Sequence, residues 1–356
     1  MNKVRVNALK PYDIYIGDGL LDDVGSLISG LVEGEIAAII TDDNVASLYP
    51  ERLLKSLRKK SFETAVFTIK NGEASKNPYS FINIAHFLAE NKLTKADTVI
   101  AFGGGVVGDL AGFAASVYLR GIPYIQIPTT LLAAVDSSVG GKTGIDLEAG
   151  KNLVGSFYQP LAVVCDLSIL EALPPKIIID GCSEIIKYGA ILSEELFNKL
   201  KLFPKIDFED IITSCVKIKA DIVAHDEFEA GRRKLLNFGH TVGHAIEHLS
   251  NYSISHGTAV AIGMAIEMGA GYEMGVCDLD SYNELINLLH RFGLPYTTKF
   301  NAQELANAAL SDKKRRADTI TLVFPQKIGS PVMRTAKVVD LEEIIFLGLK
   351  KVGECI

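Results

Sequence analysis

Three of the chain's seven histidines, His240, His244 and His248, fall in the stretch NFGHTVGHAIEH at a spacing of i, i+4 and i+8. On an α-helix, residues four apart stack one turn above another, so this spacing lines three imidazoles along one face. A fourth, His256, opens the next helix-like stretch, HGTAVAIGMAIEMG. Imidazole nitrogens joined by a carboxylate make a donor set for a divalent metal with one position open to water or substrate. Ordinary half-buried histidines bonded to neighbouring carbonyls are the competing reading, and spacing alone does not separate the two.

Other blocks carry charge and glycine. In TVIAFGGGVVGDLAGFAAS, Gly103, Gly105 and Gly108 satisfy G-x-G-x-x-G between a strand-like run and a helical one. Glycines there let the backbone turn tightly and approach a pyrophosphate at a helix N-terminus. The acidic residue expected about 20 positions later is missing; Asp42 and Asn44 of IITDDNV, after an earlier strand-like run, are available for a ribose or adenine edge. The block IPTTLLAAVDSSVGGKTGIDLEAGKNLVGSFYQP reads as loop-rich and gathers Thr129, Thr130, Asp136, Ser137, Ser138, Lys142, Lys151 and Asn152. Its lysines are suited to phosphate or carboxylate, with a solvated surface loop as the plainer reading. Glu184 and Lys187 of GCSEIIKYGAI lie three apart on one helix face among apolar neighbours. Lys219, Glu229, Arg233 and Asn237 precede the histidines, and SDKKRRAD offers Lys313 or Lys314 as an anion clamp.

Two textures of sequence must position these groups. In the first half KVRV, YDIYI, EIAAIIT, TAVFTI, DTVIAFG, YIQIPTT and LAVVCDL alternate with helical patterns, which predicts a parallel sheet covered by helices. From Pro175 onward long amphipathic stretches dominate until TITLVFPQ. The expected fold is therefore an α/β N-terminal domain plus a mostly α-helical C-terminal domain, with a boundary near 165–175. A cleft between two such halves is the default place for a ligand.

Composition excludes several function classes. The 356 residues, 48% of them hydrophobic, suffice for one large or two ordinary cores. Thirty-six basic residues against 43 acidic ones give a net charge of -7, which argues against nucleic acid or an anionic membrane as partner. The N-terminal residues show no signal-like apolar region, and no run reaches the roughly 18 apolar residues of a membrane span. Five scattered cysteines without a CxxC pair predict reduced thiols in the cytoplasm.

Taken together, GEASK, GGGVVGDLAGFAAS, RGIPYIQIPTTLLAAVDSSVGGKTGID, GKNLVGSFYQP, LPP, EIIKYGAI, LLNFGHTVGHAIEH, HGTAVAIGM and DKK resemble the 3-dehydroquinate synthase family of the sugar-phosphate cyclase superfamily, over most of the chain. The resemblance implies a Rossmann-like NAD-binding domain over 1–170 and a helical metal- and substrate-binding domain over 171–356. It implies metal ligands, for zinc or cobalt, at Glu184, His240 and His256. NAD contacts are implied at Asp42, Asn44, Glu73, Lys76, Gly104, Gly105, Asp109, Thr129, Thr130 and Lys151. Substrate contacts are implied at Asp136, Lys142, Asn152, Lys187, Lys219, Arg233, Asn237 and one lysine of the DKK run, with Glu229 as a further proton acceptor. His244 is implied as a proton-transfer group near the substrate phosphate, and His248 has no assigned role. The family works as a homodimer in which an arginine, here Arg120, reaches the neighbouring subunit's phosphate.

The reaction so implied belongs to a lyase of aromatic amino acid biosynthesis, the shikimate pathway. It turns DAHP (3-deoxy-D-arabino-heptulosonate 7-phosphate) into 3-dehydroquinate and phosphate, and NAD is used and returned. Another sugar-phosphate cyclase, or a metal- and NAD-dependent polyol dehydrogenase, is the alternative. His225 and Phe228 of AHDEFEAG depart from the family pattern.

Overall fold

The strand-like runs of the first half become one sheet in the computed structural model, which describes residues 1–312 and 318–354. Its strands are β1 (Asn2–Val6), β2 (Tyr12–Gly17), β3 (Ile36–Asp42), β4 (Glu63–Ile69), β5 (Thr98–Gly103), β6 (Tyr124–Pro128) and, after a hairpin of β7 (Lys142–Leu147) and β8 (Gly150–Phe157), β9 (Ala162–Asp166). Their spatial order is β1-β2-β9-β6-β5-β3-β4. Only β1 and β2 pair antiparallel; the other pairings in this sheet are parallel.

Successive strand residues point to opposite faces, and both faces here are covered. On one, Ile39, Ile100, Phe102, Ile125 and Ile127 share a core with Leu53 and Leu57 of α1 (Pro50–Arg58). On the other, Ala38, Ile40, Val99, Ala101 and Tyr124 share a core with Ile84 and Leu88 of α2 (Pro78–Glu90) and with Val107, Leu110 and Ala111 of α3 (Gly105–Val117). Double coverage is why these strands read as unbroken apolar runs rather than alternating ones.

The topology places a ligand edge. The connection after β3 leads outward to β4, whereas the connection after β5 leads the opposite way to β6, so the order reverses between β3 and β5. Ligands of open α/β sheets lie outside the strand carboxyl ends at such a switch point. The register pairs Thr41 with Phe102 and Gly103 with Pro128, so Asp42, Gly104 and Thr129 leave neighbouring strands along one edge.

The chain divides into two compact units: residues 1–174 with 215–228, and residues 175–214 with 229–356. The second is built on α4 (Pro175–Leu192), the start of α5 (Phe208–His225), α6 (His240–Leu249), α7 (His256–Glu273) and a β10–β11 hairpin (Thr319–Lys327, Ser330–Lys337). No helix among the described residues is long and apolar enough to cross a membrane.

Three local readings change. The glycine-rich block expected to be loop contains the β7–β8 hairpin, in which Thr143 pairs with Ser156 and Ile145 with Val154. Its glycines are there for close backbone approach: a Cβ on Gly155 would lie 2.2 Å from the Thr143 carbonyl oxygen. The helical pattern NVASLYPERLLKSLRKK breaks in two, because Pro50 starts a new helix after Asp43–Leu48. Strand β11 gave no sequence signal, since most of its side chains are exposed or half-exposed and lack alternation.

Asp97 ties β3 to β5 at the start of the ligand-bearing strands. Its carboxylate accepts from the backbone N–H of Ile36 (2.9 Å) and from the backbone and hydroxyl of Thr94 (2.7 Å each). Burial pushes its pKa up, but the hydrogen bonds from Ile36 and Thr94 outweigh burial and hold it below the usual carboxylate value. A depressed carboxylate contributes stability above its unfolded-state pKa, and that stability is lost as pH falls through the folded-state value. Asp97→Asn is expected to cost about 1.5 kcal/mol or more at neutral pH. The deficit should shrink below about pH 4. Urea unfolding midpoints at neutral and acid pH measure this; a deficit independent of pH would remove the carboxylate charge from the account.

Candidate active site

Helices α4, α6 and α7 of the second unit each contribute one member of a carboxylate and imidazole cluster. Ligand atoms of Glu184 (α4), His240 (first residue of α6) and His256 (first residue of α7) all lie within 4.8 Å of one another. The Nε2 atoms of both histidines are 3.5 Å from Glu184 Oε1. His240 Nδ1 stands 3.0 Å from the Phe238 carbonyl oxygen, which accepts its proton and leaves Nε2 to face Glu184. His244 lies beside them, its ring centroid 5.4 Å from that of His240.

Packing between helices sets this convergence. Gly239 precedes α6 with φ 77°, a left-handed conformation that glycine adopts without penalty. A Cβ on Gly263 of α7 would lie 2.0 Å from the Gly239 carbonyl oxygen, and one on Gly257 would lie 1.9 Å from the carbonyl oxygen of Asp180 on α4. Half-buried Asp180 and buried Glu267 complete the clamp. Asp180, one turn before Glu184, accepts from Ser255 Oγ (2.5 Å) and the Thr258 N–H (3.0 Å) at the start of α7. Glu267 of α7 accepts from the Gly239 N–H (2.8 Å) at the start of α6.

The electrostatics turn on the buried Glu184 carboxylate. Glu184 is fully buried and forms an ion pair with Lys187, itself 1% exposed. Burial, helped by the Lys187 charge, drives the His240 pKa well below the ordinary histidine value, so His240 offers a neutral nitrogen at neutral pH. Burial also pulls on His256, but hydrogen bonds to the Glu184 and Glu247 carboxylates override it and push that pKa up to about 10. One carboxylate oxygen and two imidazole nitrogens, converging from rigid helices, match the chemistry of a divalent metal centre with an open position.

Other predicted residues of this unit lie near the same segment. Arg233, 1% exposed, and Asn237 sit in a short 3-10 helix, Arg232–Asn237. Asn237 Nδ2 donates to Glu229 Oε1 at 3.0 Å. His248 is exposed on α6. Lys313 and Lys314 lie outside the described residues.

In the first unit the predicted NAD residues gather along the strand carboxyl edge. Asp42 Oδ1 caps the following helix, accepting from the N–H groups of Asn44 and Val45 at 3.0 Å each, and Asn44 is exposed beside it. The Gly104–Gly105 turn packs against Thr130 and Ser137: a Cβ on either glycine would come within 3.1 Å of those side chains. Thr129 N–H donates to the Gly103 carbonyl at 3.0 Å. Lys76 is 4% exposed and donates to Asp109 (2.6 Å) and to Asn152 Oδ1 (2.5 Å), while Lys151 pairs with Glu73 at 3.1 Å. Burial lowers the Lys76 pKa, but Asp109 and Glu73 more than reverse it, so the ammonium stays charged. Asn152, assigned to substrate by resemblance, thus shares a polar group with four residues assigned to NAD.

Two further predicted residues pair: Lys219 Nζ donates to Asp136 Oδ1 at 2.8 Å and to its carbonyl at 2.7 Å. Lys142 is exposed at the start of β7, and Arg120 is exposed with φ 65° at the turn after α3. His225 is exposed against its own helix, and Phe228 packs edge-on to Phe157 at 5.3 Å. Sequence reasoning missed Asp180, Glu247 and Glu267. Glu247 had a signal, standing seven residues after His240 and hence on the same helix face.

The chain is a member of the sugar-phosphate cyclase superfamily. A solved 2-deoxy-scyllo-inosose synthase, complexed with carbaglucose-6-phosphate, NAD+ and Co2+, matches with TM-score 0.87 and 25% identity over 97% of this chain and 99% of that one. A 2-epi-5-epi-valiolone synthase from Streptomyces hygroscopicus, with NAD+ and Zn2+ bound, shares the fold at TM-score 0.88 and 24% identity, over 97% of each chain. Within that class the chain belongs to the 3-dehydroquinate synthase family. The family's N-terminal profile matches residues 66–180 and its C-terminal profile residues 181–315. The 3-dehydroquinate synthase of Enterococcus faecalis is 43% identical over 342 residues, 94% of each sequence. The chain is accordingly a lyase of the shikimate pathway that uses NAD and a divalent metal and acts on a sugar-phosphate substrate.

The helix clamp makes a test away from the ligands themselves. Gly263→Ala places a methyl group against the Gly239 backbone, which cannot swing aside, so α6 and α7 must part. The expected result is a loss of about 1–3 kcal/mol of stability together with weaker retention of divalent metal, read by thermal unfolding and by metal content after dialysis.

Proposed function

We propose that the substrate is DAHP and that the products are 3-dehydroquinate and inorganic phosphate. The metal would be held by Glu184, His240 and His256, as zinc or cobalt, since a carboxylate and two imidazoles accept either ion. When bound, the ion polarises the substrate's hydroxyl groups and lowers the cost of deprotonating them. NAD would be held by Asp42, Asn44, Glu73, Lys76, Gly104, Gly105, Asp109, Thr129, Thr130 and Lys151, and would supply reversible hydride chemistry with no net redox change. By function we assign NAD binding to residues 1–170 and metal and substrate binding to residues 171–356, with Asp136, Lys142 and Asn152 as substrate contacts from the first.

Each proposed substrate residue has a physical task. Lys187, Lys219, Arg233 and Lys142 offer fixed positive charge to a carboxylate, a phosphate and a developing enolate. Lys187, Lys219 and Arg233 are almost fully buried, where such charges act more strongly than in water. Asn237 is oriented by Glu229, and Lys219 by Asp136, so these donors are pre-set rather than recruited. His244, half-buried beside the metal ligands, is placed to move a proton at the leaving phosphate. Arg120, exposed at its turn, is assigned to a neighbouring subunit's phosphate in a homodimer. The buried cysteines Cys165, Cys182, Cys215 and Cys277, the -7 charge and the pathway support a cytoplasmic protein without nucleic acid or membrane as partner.

The Glu184, His240 and His256 convergence carries this reading. Purified chain with NAD, zinc and DAHP should release phosphate without accumulating NADH. Glu184→Gln should lower that rate by more than about 100-fold. Stoichiometric NADH instead of phosphate would make the chain a polyol dehydrogenase, and turnover of a sugar phosphate without a carboxylate would make it a different cyclase. Stripping with chelator and reloading with zinc or cobalt ranks the two ions.

A further inference from the structure

Glu247 is a carboxylate that the proposed chemistry leaves without a task. It lies on α6 two turns after His240, on the same face, and is 3% exposed. Its Oε2 is 3.3 Å from His256 Nδ1 and 4.0 Å from His244 Nε2. A buried carboxylate is costly unless charge or hydrogen bonds compensate it, and His256, on a different helix, is one such group.

We infer that Glu247 is a positioning residue for the metal: it accepts the Nδ1 proton of His256 and so fixes that ring with Nε2 directed at the ion. The inference rests on the assignment of Glu184, His240 and His256 as ligands. The geometry at the two histidines makes the case. His240 has its Nδ1 held by the neutral Phe238 carbonyl, from a residue two positions away. His256 has its Nδ1 held by an anion brought from α6, and its Nε2 lies 3.5 Å from Glu184 Oε1. A carboxylate in that position selects the tautomer, sets the ring plane and makes the opposite nitrogen a stronger donor. It also links α6 to α7 across the turn at 250–255, so the two ligand-bearing helices share one hydrogen bond at the site itself. His256 would then be the more strongly donating imidazole of the pair.

The same atoms allow another use, because His244, Glu247 and His256 form a second group of potential ligands within 4.8 Å. His256 turns Nε2 toward Glu184 and Nδ1 toward Glu247, so a ring that ligates through Nε2 leaves its Nδ1 proton to Glu247, and this favours positioning over direct ligation.

Cobalt titration of the metal-stripped full-length chain tests the proposal, with affinity from chelator competition, coordination from the visible bands, and folding from the thermal midpoint without metal. Glu247→Ala should weaken cobalt binding toward about 100-fold and shift the visible bands. Glu247→Gln, which keeps an accepting oxygen but no charge, should weaken it by about tenfold; its metal-free midpoint should match wild type. If the alanine variant does not fold, the glutamine variant decides alone. Affinity and spectrum of Glu247→Gln within about twofold of wild type would overturn the proposal. So would two cobalt ions per wild-type chain, or a Glu247→Ala loss as complete as that of Glu184→Gln, since both make Glu247 a ligand. If Glu184→Gln and His240→Ala bind cobalt like wild type, the ligand assignment fails, and this inference fails with it.

Discussion

A carboxylate shut away from water organises the second unit. Glu184 is fully buried in α4, and an isolated buried charge would cost several kcal/mol. Lys187, one turn along the same helix, supplies a countercharge, and two imidazoles from other helices approach the same oxygen. The fold therefore tolerates Glu184 only while α4, α6 and α7 stay in one relative arrangement. Glycine contacts at Gly257 and Gly263 bring the helices close enough, and the Asp180 and Glu267 carboxylates tie the starts of α7 and α6 in place. Three side chains converging from three helices need this, because none can be positioned by its own element.

The first unit solves its positioning problem through topology. Parallel strands end together, so whatever follows them emerges along one edge regardless of distance in sequence. Asp42, Gly104 and Thr129 are each the last residue of a strand or the first residue after one, and their strands are neighbours. Residues 73–76 follow β4, and the β7–β8 hairpin carries Lys151 and Asn152 back to Glu73 and Lys76. Buried Lys76 keeps its charge through Asp109 and Glu73, which gives this edge a fixed cation amid carboxylates.

Much of this was legible from residues alone. Strands β3, β5, β6 and β9 gave apolar runs because both their faces are buried, β1 and β2 gave alternation, and several of the long helices gave apolar periodicity. The histidine spacing reported the α6 face correctly, yet it pointed equally at His240, His244 and His248, of which the last is exposed. The β7–β8 hairpin was hidden because close backbone approach demands glycines, and glycine carries no strand signal. Asp180, Glu247 and Glu267 stayed hidden for a different reason: an acidic residue on a helix reads as solvated unless its cross-helix partner is known.

The sequence by itself determined the strands of the main sheet, the change from α/β to helical texture, the family resemblance and the residue types able to hold a metal, since these depend on local periodicity and on short contiguous motifs. Only the tertiary structure decided which histidine nitrogens face Glu184, which carboxylates clamp the helices, and which charges are buried. Those outcomes depend on contacts between residues as far apart as 180 and 258, and no local pattern encodes the approach of two helices whose closest atoms belong to glycine and backbone.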